Sequence, residues 1–221
     1  MSDTKYNALV LGSSGLIGFE TLNLLLNNNK YKRIYAVSRK ELPVINDKLI
    51  QLIADYDSIE SQIKDLKIDH LYSCMGTTAA KTRDKSEYYQ IDLDYPTKVA
   101  QLLHKNGCQC ICLVSSMGAN SKSSNFYLKL KGKVEEAIIE TGINHINIFR
   151  PSLLLGKRKE FRLMEKIVQT IYPFINFILI GKAKDYRSIQ AKDVASAMIN
   201  TALSDQTSVH IYQTQKIKEL A

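Results

Sequence analysis

The run Gly12-Ser13-Ser14-Gly15-Leu16-Ile17-Gly18 constrains this chain more than any other feature. It follows the apolar segment Asn7–Leu11 directly and leads into Leu16, Phe19, Leu22, Leu25 and Leu26 at helical spacing. A strand that turns into a helix through three glycines needs each for a separate steric reason. Gly12 permits the sharp turn, Gly15 lets another group approach the backbone, and Gly18 lets the helix lie close to the strand it leaves. The free amides at the helix start, around Gly15, Leu16 and Ile17, then form a cradle for an anion.

Further β-rich runs follow at Arg33–Val37, Leu49–Ile53, His70–Cys74, Cys110–Val114 and His145–Phe149, separated by helical patterns that include Glu87–Lys105 and Leu128–Ile139. The strand runs are almost continuously apolar, as strands covered on both faces must be. Strand, helix, strand repeated with right-handed crossovers implies an α/β chain: a Rossmann-like, doubly wound, mostly parallel sheet. At 221 residues, 45% of them hydrophobic, the chain can bury one sizeable core and little more. We expect one nucleotide-binding domain over 1–221, with a small substrate-side extension at roughly 152–190. The least regular stretch, Lys157–Arg187, reads equally well as a substrate lid or a surface excursion. No internal repeat or low-complexity tract is present.

A glycine cradle after the first strand suits the pyrophosphate of a dinucleotide. NAD sites usually carry an acid about 20 residues onward, where its carboxylate holds the ribose 2′-hydroxyl. Here that place holds Ser38-Arg39-Lys40, a hydroxyl and two cations, which suits a 2′-phosphate. The expectation is therefore NADP(H), with NAD(H) as the alternative. Asp55, just past the third strand, is placed to accept from an adenine amine, although a solvated loop acid would look the same. Met75, Gly76 and Thr77, at the end of the fourth strand, would pass under the cofactor.

Tyr127 and Lys131 stand at i and i+4, on one helical face. A tyrosine near its ordinary pKa is a poor proton donor or acceptor at neutral pH, and a neighbouring ammonium lowers that value toward the working range. The spacing alone carries little, because Tyr212 and Lys216 repeat it. What singles out Tyr127 is the serine pair Ser115-Ser116 at the end of a preceding strand, whose hydroxyls could polarise a carbonyl.

The charge balance, 30 Lys and Arg against 22 Asp and Glu, gives +8. The basic residues are dispersed and not interleaved with aromatics, so no nucleic-acid partner is expected. Cys108, Cys110 and Cys112 alternate along an apolar run as strand side chains do, which points to buried thiols, a reducing compartment and no metal site. No apolar leader opens the chain, and the longest apolar stretch, Ile171–Ile180, is broken by Pro173 and Asn176. No membrane span is expected, and the location expected on these grounds is cytoplasmic.

Taken together, these residues resemble the short-chain dehydrogenase/reductase superfamily in its atypical or extended branch. Cys74-Met75-Gly76-Thr77-Thr78, Ser115-Ser116-Met117-Gly118-Ala119, Lys122 through Tyr127 and Phe149-Arg150-Pro151 look like its Tat-interacting-protein group. The resemblance implies Ser115 as the carbonyl-polarising serine, with Ser116 as the alternative, Tyr127 as acid/base, and Lys131 as the ribose-binding residue that tunes Tyr127. It also implies that Arg150 and Pro151 adjoin the nicotinamide. Gln90-Ile91-Asp92 departs from the asparagine usual in extended members. The implied function is an NADPH-dependent oxidoreductase reducing a carbonyl or similar group of a small molecule. The alternative is an NADP(H)-sensing binding protein with a protein partner and little turnover. Homodimerisation is a family-level expectation.

Overall fold

The computed structural model describes residues 5–76, 84–155, 187–204 and 207–221. Its centre is a seven-stranded sheet built from β1 (Tyr6–Leu11), β2 (Tyr31–Ser38), β3 (Leu49–Ile53), β4 (His70–Ser73), β5 (Cys110–Val114), β6 (His145–Arg150) and β9 (Ser208–Gln213). The order is β3-β2-β1-β4-β5-β6-β9, with every pairing parallel. A two-stranded ladder joins β7 (Leu154–Leu155) to β8 (Ile189–Gln190). The strands expected from sequence match within two residues at either end. The edge strand β9 was not foreseen, because Val209 and Ile211 leave one of its faces exposed and break the buried-strand pattern. Of the stretch 157–187, expected as a substrate lid or a surface excursion, only Arg187 is among the described residues, and Thr77 also lies outside them.

Each face of the sheet is covered by helices whose apolar stripes are visible in the sequence. On one face lie α1 (Leu16–Leu26), α6 (Ala191–Ala202) and α7 (Thr214–Leu220), burying Leu22, Leu25, Val194, Met198 and Ile217 against Ala8, Val10 and Phe149. On the other, α2 (Ile59–Ile63), α4 (Tyr95–Lys105) and α5 (Phe126–Ile139) bury Ile59, Val99, Leu103, Val134 and Ile138 against Leu9, Leu11, Leu71 and Ile148. Alternation along each strand divides the cores: in β5, Cys110, Cys112 and Val114 face the first, Ile111 and Leu113 the second. All four cysteines are free thiols, three of them buried.

One helical run departs from the sequence expectation. The pattern predicts a helix over Glu87–Lys105. The chain instead forms α3 (Lys85–Tyr89), a π-helical turn at Gln90–Asp94, and then α4. The extra residue in that turn rotates the register and brings Asp92 inward, where it is 1% exposed. Tyr212 and Lys216 do not share a helical face. Tyr212 closes β9 and donates to Asn147 Oδ1 at 3.2 Å, whereas Lys216 lies on α7.

The first core also contains a satisfied polar row. His70, Cys110 and His145 lie in register across three strands, with Tyr72, Cys112 and Asn147 two residues further on. Asn147 Nδ2 lies 2.9 Å from His145 Nε2, and the Tyr31 hydroxyl lies 2.6 Å from that of Tyr72 and 2.8 Å from His70 Nδ1. Burial, aided by His145, holds His70 down at about 4 against an ordinary 6.5. A neutral ring can accept from Tyr31, which can then accept from Tyr72, so the row is satisfied with His70 uncharged, the state that burial favours. As pH falls from about 6.5 to about 4, the unfolded chain takes up this proton before the folded one. Folding free energy measured by urea melts should therefore drop by up to about 3 kcal/mol across that window. A His70→Asn variant should lose that part of the slope, and an unchanged slope would place the acid sensitivity elsewhere.

Candidate active site

Strand order reverses between β1 and β4, and the crevice beyond their carboxyl ends is where a doubly wound sheet binds ligands. The glycine loop forms its floor. Gly12 has φ +79°, and a Cβ there would meet the Cys74 carbonyl oxygen at 2.9 Å. At Gly18 a Cβ would fall 2.2 Å from the Gly12 oxygen, so α1 starts directly on the end of β1 only because both side chains are missing. Ser13 is buried, and its amide and hydroxyl both donate to the Val37 carbonyl, at 3.2 and 2.8 Å, tying the loop to β2. Ser14 and Gly15 stand exposed at the rim, and Leu16 and Ile17 form the first turn. No side chain caps α1 at Gly15, whereas Asn125 caps α5 by accepting from the Leu128 amide at 3.1 Å. First-turn amides without a side-chain acceptor fit the oxygens of a pyrophosphate.

At the end of β2, Ser38 donates to the Lys40 carbonyl at 2.6 Å, and Arg39 and Lys40 are exposed beside the crevice. Asp55 is exposed and closes the turn into α2. Its Oδ1 accepts from the Ser58 hydroxyl at 2.6 Å and amide at 3.0 Å, which hold its carboxyl below the ordinary range. Met75 is half-buried and Gly76 exposed at the end of β4. A Cβ on Gly76 would lie 3.6 Å from Lys131 Nζ, so this segment runs past the buried end of α5.

α5 supplies the reactive groups. Tyr127 is 38% exposed, near the start of the helix. One turn on, Lys131 is buried, with Nζ 6.0 Å from the Tyr127 ring centre. That ammonium lies 3.0 Å from Asp92 Oδ2 and donates to the Met75 carbonyl at 3.4 Å. Burial alone would lower its pKa, but the Asp92 carboxylate, with Tyr127 and Glu135, more than offsets this and raises it. A further turn on, Glu135 is buried and accepts from Arg150 Nε at 2.9 Å and Nη2 at 2.5 Å, and from the Ser115 hydroxyl. The Glu135 contact raises the Arg150 pKa.

The serines sit where β5 and β6 run on beyond their regular ladder. The Ser115 amide donates to the Phe149 carbonyl at 2.7 Å and the Met117 amide to that of buried Pro151 at 3.1 Å. Ser115 is buried against Glu135. Ser116 is half-buried, and its hydroxyl lies 3.4 Å from the Met117 carbonyl. The loop that follows rests on α5 at Gly132, where a Cβ would meet the Ser121 amide nitrogen at 2.1 Å. That contact fixes the serine segment relative to Lys131. Among the described residues, no group of three or more His, Cys, Asp or Glu could hold a metal, and no helix is long and apolar enough to cross a membrane.

Residues 8–213 match the model of the NAD dependent epimerase/dehydratase family. The chain belongs to that family. This is the extended short-chain dehydrogenase/reductase group that the motifs resemble. Among its relatives, Protein FMP52, mitochondrial, of Candida glabrata is 37% identical over 159 residues, covering 71% of this chain and 67% of that protein. Protein HTATIP2 of Rattus norvegicus is 28% identical over 202 residues, covering 90% and 81%. A structure of MoeE5 with UDP-glucose and NAD superimposes with a TM-score of 0.69 at 18% identity, covering 97% of this chain and 79% of that one. ADP-L-glycero-D-manno-heptose-6-epimerase of Helicobacter pylori gives 0.71 at 12% identity, covering 98% and 79%.

These relatives correct one expectation. Relatives from Candida glabrata, Saccharomyces cerevisiae and Scheffersomyces stipitis, 37%, 36% and 29% identical, are named mitochondrial, which overturns the cytoplasmic location expected from the want of a secretory leader or membrane span. An apolar leader or span is the signal for secretion or membrane insertion only, whereas mitochondrial transit peptides are amphipathic, rich in Arg and Ser and poor in acids.

The sequence reading missed Glu135 and saw in Asp92 only a departure. Glu135 had a signal: Tyr127, Lys131 and Glu135 form an i, i+4, i+8 stripe on one face. Asp92 had none, since its inward position depends on the π turn. Replacing Glu135 by Gln leaves the Arg150 guanidinium partly buried without a counter-charge. Urea melts should show a loss on the order of 3 kcal/mol, with most of it recovered in Glu135→Gln/Arg150→Met. Equal stability of Glu135→Gln and the parent would show that the pair contributes nothing.

Proposed function

We propose that the chain is an NADP(H)-dependent oxidoreductase that reduces a carbonyl or similar group of a small molecule. The observation that carries this is the Lys131 ammonium, buried 6.0 Å from the Tyr127 ring beside the end of β4. A buried ammonium beside a phenol at the mouth of a nucleotide crevice is placed to hold a ribose next to a proton donor. Gly12, Ser13, Ser14, Gly15, Leu16, Ile17 and Gly18 would hold the pyrophosphate, and Ser38, Arg39 and Lys40 the 2′-phosphate. Asp55 would meet the adenine, and Met75, Gly76, Thr77, Arg150 and Pro151 would line the path of the ribose and nicotinamide. When bound, the reduced nicotinamide supplies the hydride.

Tyr127 gives its hydroxyl proton to the oxygen of the reduced group, and Lys131 holds the ribose. The serine role falls to Ser116, the alternative that the spacing left open. Ser115 donates its proton to the buried Glu135 carboxylate, a charge-assisted bond that a substrate oxygen would not displace, whereas Ser116 makes only a long 3.4 Å bond to the Met117 carbonyl, which a substrate oxygen could replace. Ser115 then acts through the Glu135–Arg150 pair to hold the strand end in place. The names of the FMP52 relatives support a mitochondrial location.

A second reading, nucleotide sensing with little turnover, is favoured by one observation: the Lys131 ammonium is already engaged by Asp92. Fluorescence titration with NADPH and NADH distinguishes the outcomes. NADPH should bind at least about tenfold more tightly, and Arg39→Ala should remove most of that margin, about 1.4 kcal/mol. Tyr127→Phe should keep binding and lose turnover in a carbonyl-substrate screen. Binding without turnover in the parent would favour sensing, and binding of neither nucleotide would defeat both readings.

A further inference from the structure

Asp92 is a buried carboxylate beside Lys131 that the proposed proton transfer leaves unused. It reaches that position because the π-helical turn Gln90–Asp94 turns it inward. Its side chain is 0% exposed and that of Lys131 5%, and their charged atoms are 3.0 Å apart. A pair this close and this dry acts at a distance as a dipole and not as a cation. An uncompensated ammonium within about 6 Å lowers the titration of a neighbouring phenol by about 1–3 pH units. A compensated one does far less.

Among the described residues, the other charges near Tyr127 and Lys131 are paired or lie over aromatic rings. On α5, Glu135 is matched by Arg150 from β6. From the end of β4, the Met75 carbonyl accepts from Lys131, whereas the Cys74 thiol lies 3.9 Å from the Thr21 hydroxyl of α1, on the other face of the sheet. From α3, Tyr88 and Tyr89 meet Phe126 edge-on, with Lys85 over that ring at 5.6 Å and Lys133 of α5 over Tyr89 at 5.2 Å. The contribution that can still be switched at Tyr127 is therefore that of Lys131, and Asp92 sets its size.

We propose that Asp92 is a positioning residue whose carboxylate cancels the Lys131 charge at Tyr127, biasing the site toward proton donation, the reductive direction. The proposal rests on the reading of Tyr127 as the proton donor. A phenol facing a compensated lysine keeps its proton and gives it to a developing alkoxide. A phenol facing a bare ammonium loses it more readily and serves better as the base that alcohol oxidation requires.

The test is a tyrosinate absorbance titration of the full chain without nucleotide, with the Tyr127→Phe curve subtracted to isolate Tyr127. In Asp92→Asn the Tyr127 curve should move down by about one pH unit, and Asp92→Glu should restore it. Because Asp92→Asn leaves a lone buried charge and can unfold, Asp92→Asn/Lys131→Met, which buries none, is measured beside it. Its Tyr127 curve should overlie that of the parent. An upward displacement by about a unit would mean that Lys131 acts as a bare cation and would overturn the proposal. So would an unmoved curve in a folded Asp92→Asn. NADPH binding by fluorescence is measured separately: its failure would count against the nucleotide reading, while the absorbance curves would still decide the role of Asp92.

Discussion

The contact between the Gly18 Cα and the Gly12 carbonyl oxygen governs the rest of the molecule. A methyl group at Gly18 would fall 2.2 Å from that oxygen, so the axis of α1 can meet the end of β1 only without one. From this contact follow the uncapped amides at the crevice, the path of Cys74 and Met75 beside the loop, and the burial of Leu22 and Leu25 on the sheet. It also explains why Ser13 is turned inward onto Val37: the loop is tied to β2 on one side and pressed by α1 on the other. The rigidity of the nucleotide end is thus a packing property of β1, α1 and β2.

The other end of the crevice depends on charge pairs. α5 presents a phenol, an ammonium and a carboxylate on successive turns of one face, and the two charged groups are each matched from another element, Lys131 by Asp92 and Glu135 by Arg150. Neither pair is an efficient source of stability, because removing charges from water offsets much of their attraction. Their value lies in geometry. Lys131 is held beside the end of β4, and Ser115 is held through Glu135 against the end of β6. A hydrophobic replacement could match the packing without fixing either group in place.

Much of this could be read from the residues. The glycine run and the near-continuous apolar strands specify the doubly wound class, because parallel strands covered on both faces have few other sequence forms. The Tyr127 and Lys131 pair was legible for the same reason: i and i+4 share a face in any helix. The illegible parts depended on longer-range geometry. β9 escaped because an edge strand with Val209 and Ile211 exposed lacks the buried pattern. The repeat of the spacing at Tyr212 and Lys216 is resolved only because a strand ends between them. The hydrogen bond from Ser115 to Glu135 joins residues on different elements, and no periodicity signals it.

By itself, then, the sequence determined the fold class, the glycine cradle, the basic turn at Ser38-Arg39-Lys40 and the helical face carrying Tyr127 and Lys131. These are properties of local sterics and of side-chain period, which a chain carries in its order of residues. Tertiary structure alone decided that a π turn would bring Asp92 to 3.0 Å from Lys131, and that Ser115 would give its proton to Glu135 while Ser116 did not. Those outcomes depend on distances between elements far apart in sequence. The interaction of two charges or of a donor and an acceptor is set by such distances and by how much water is excluded between them.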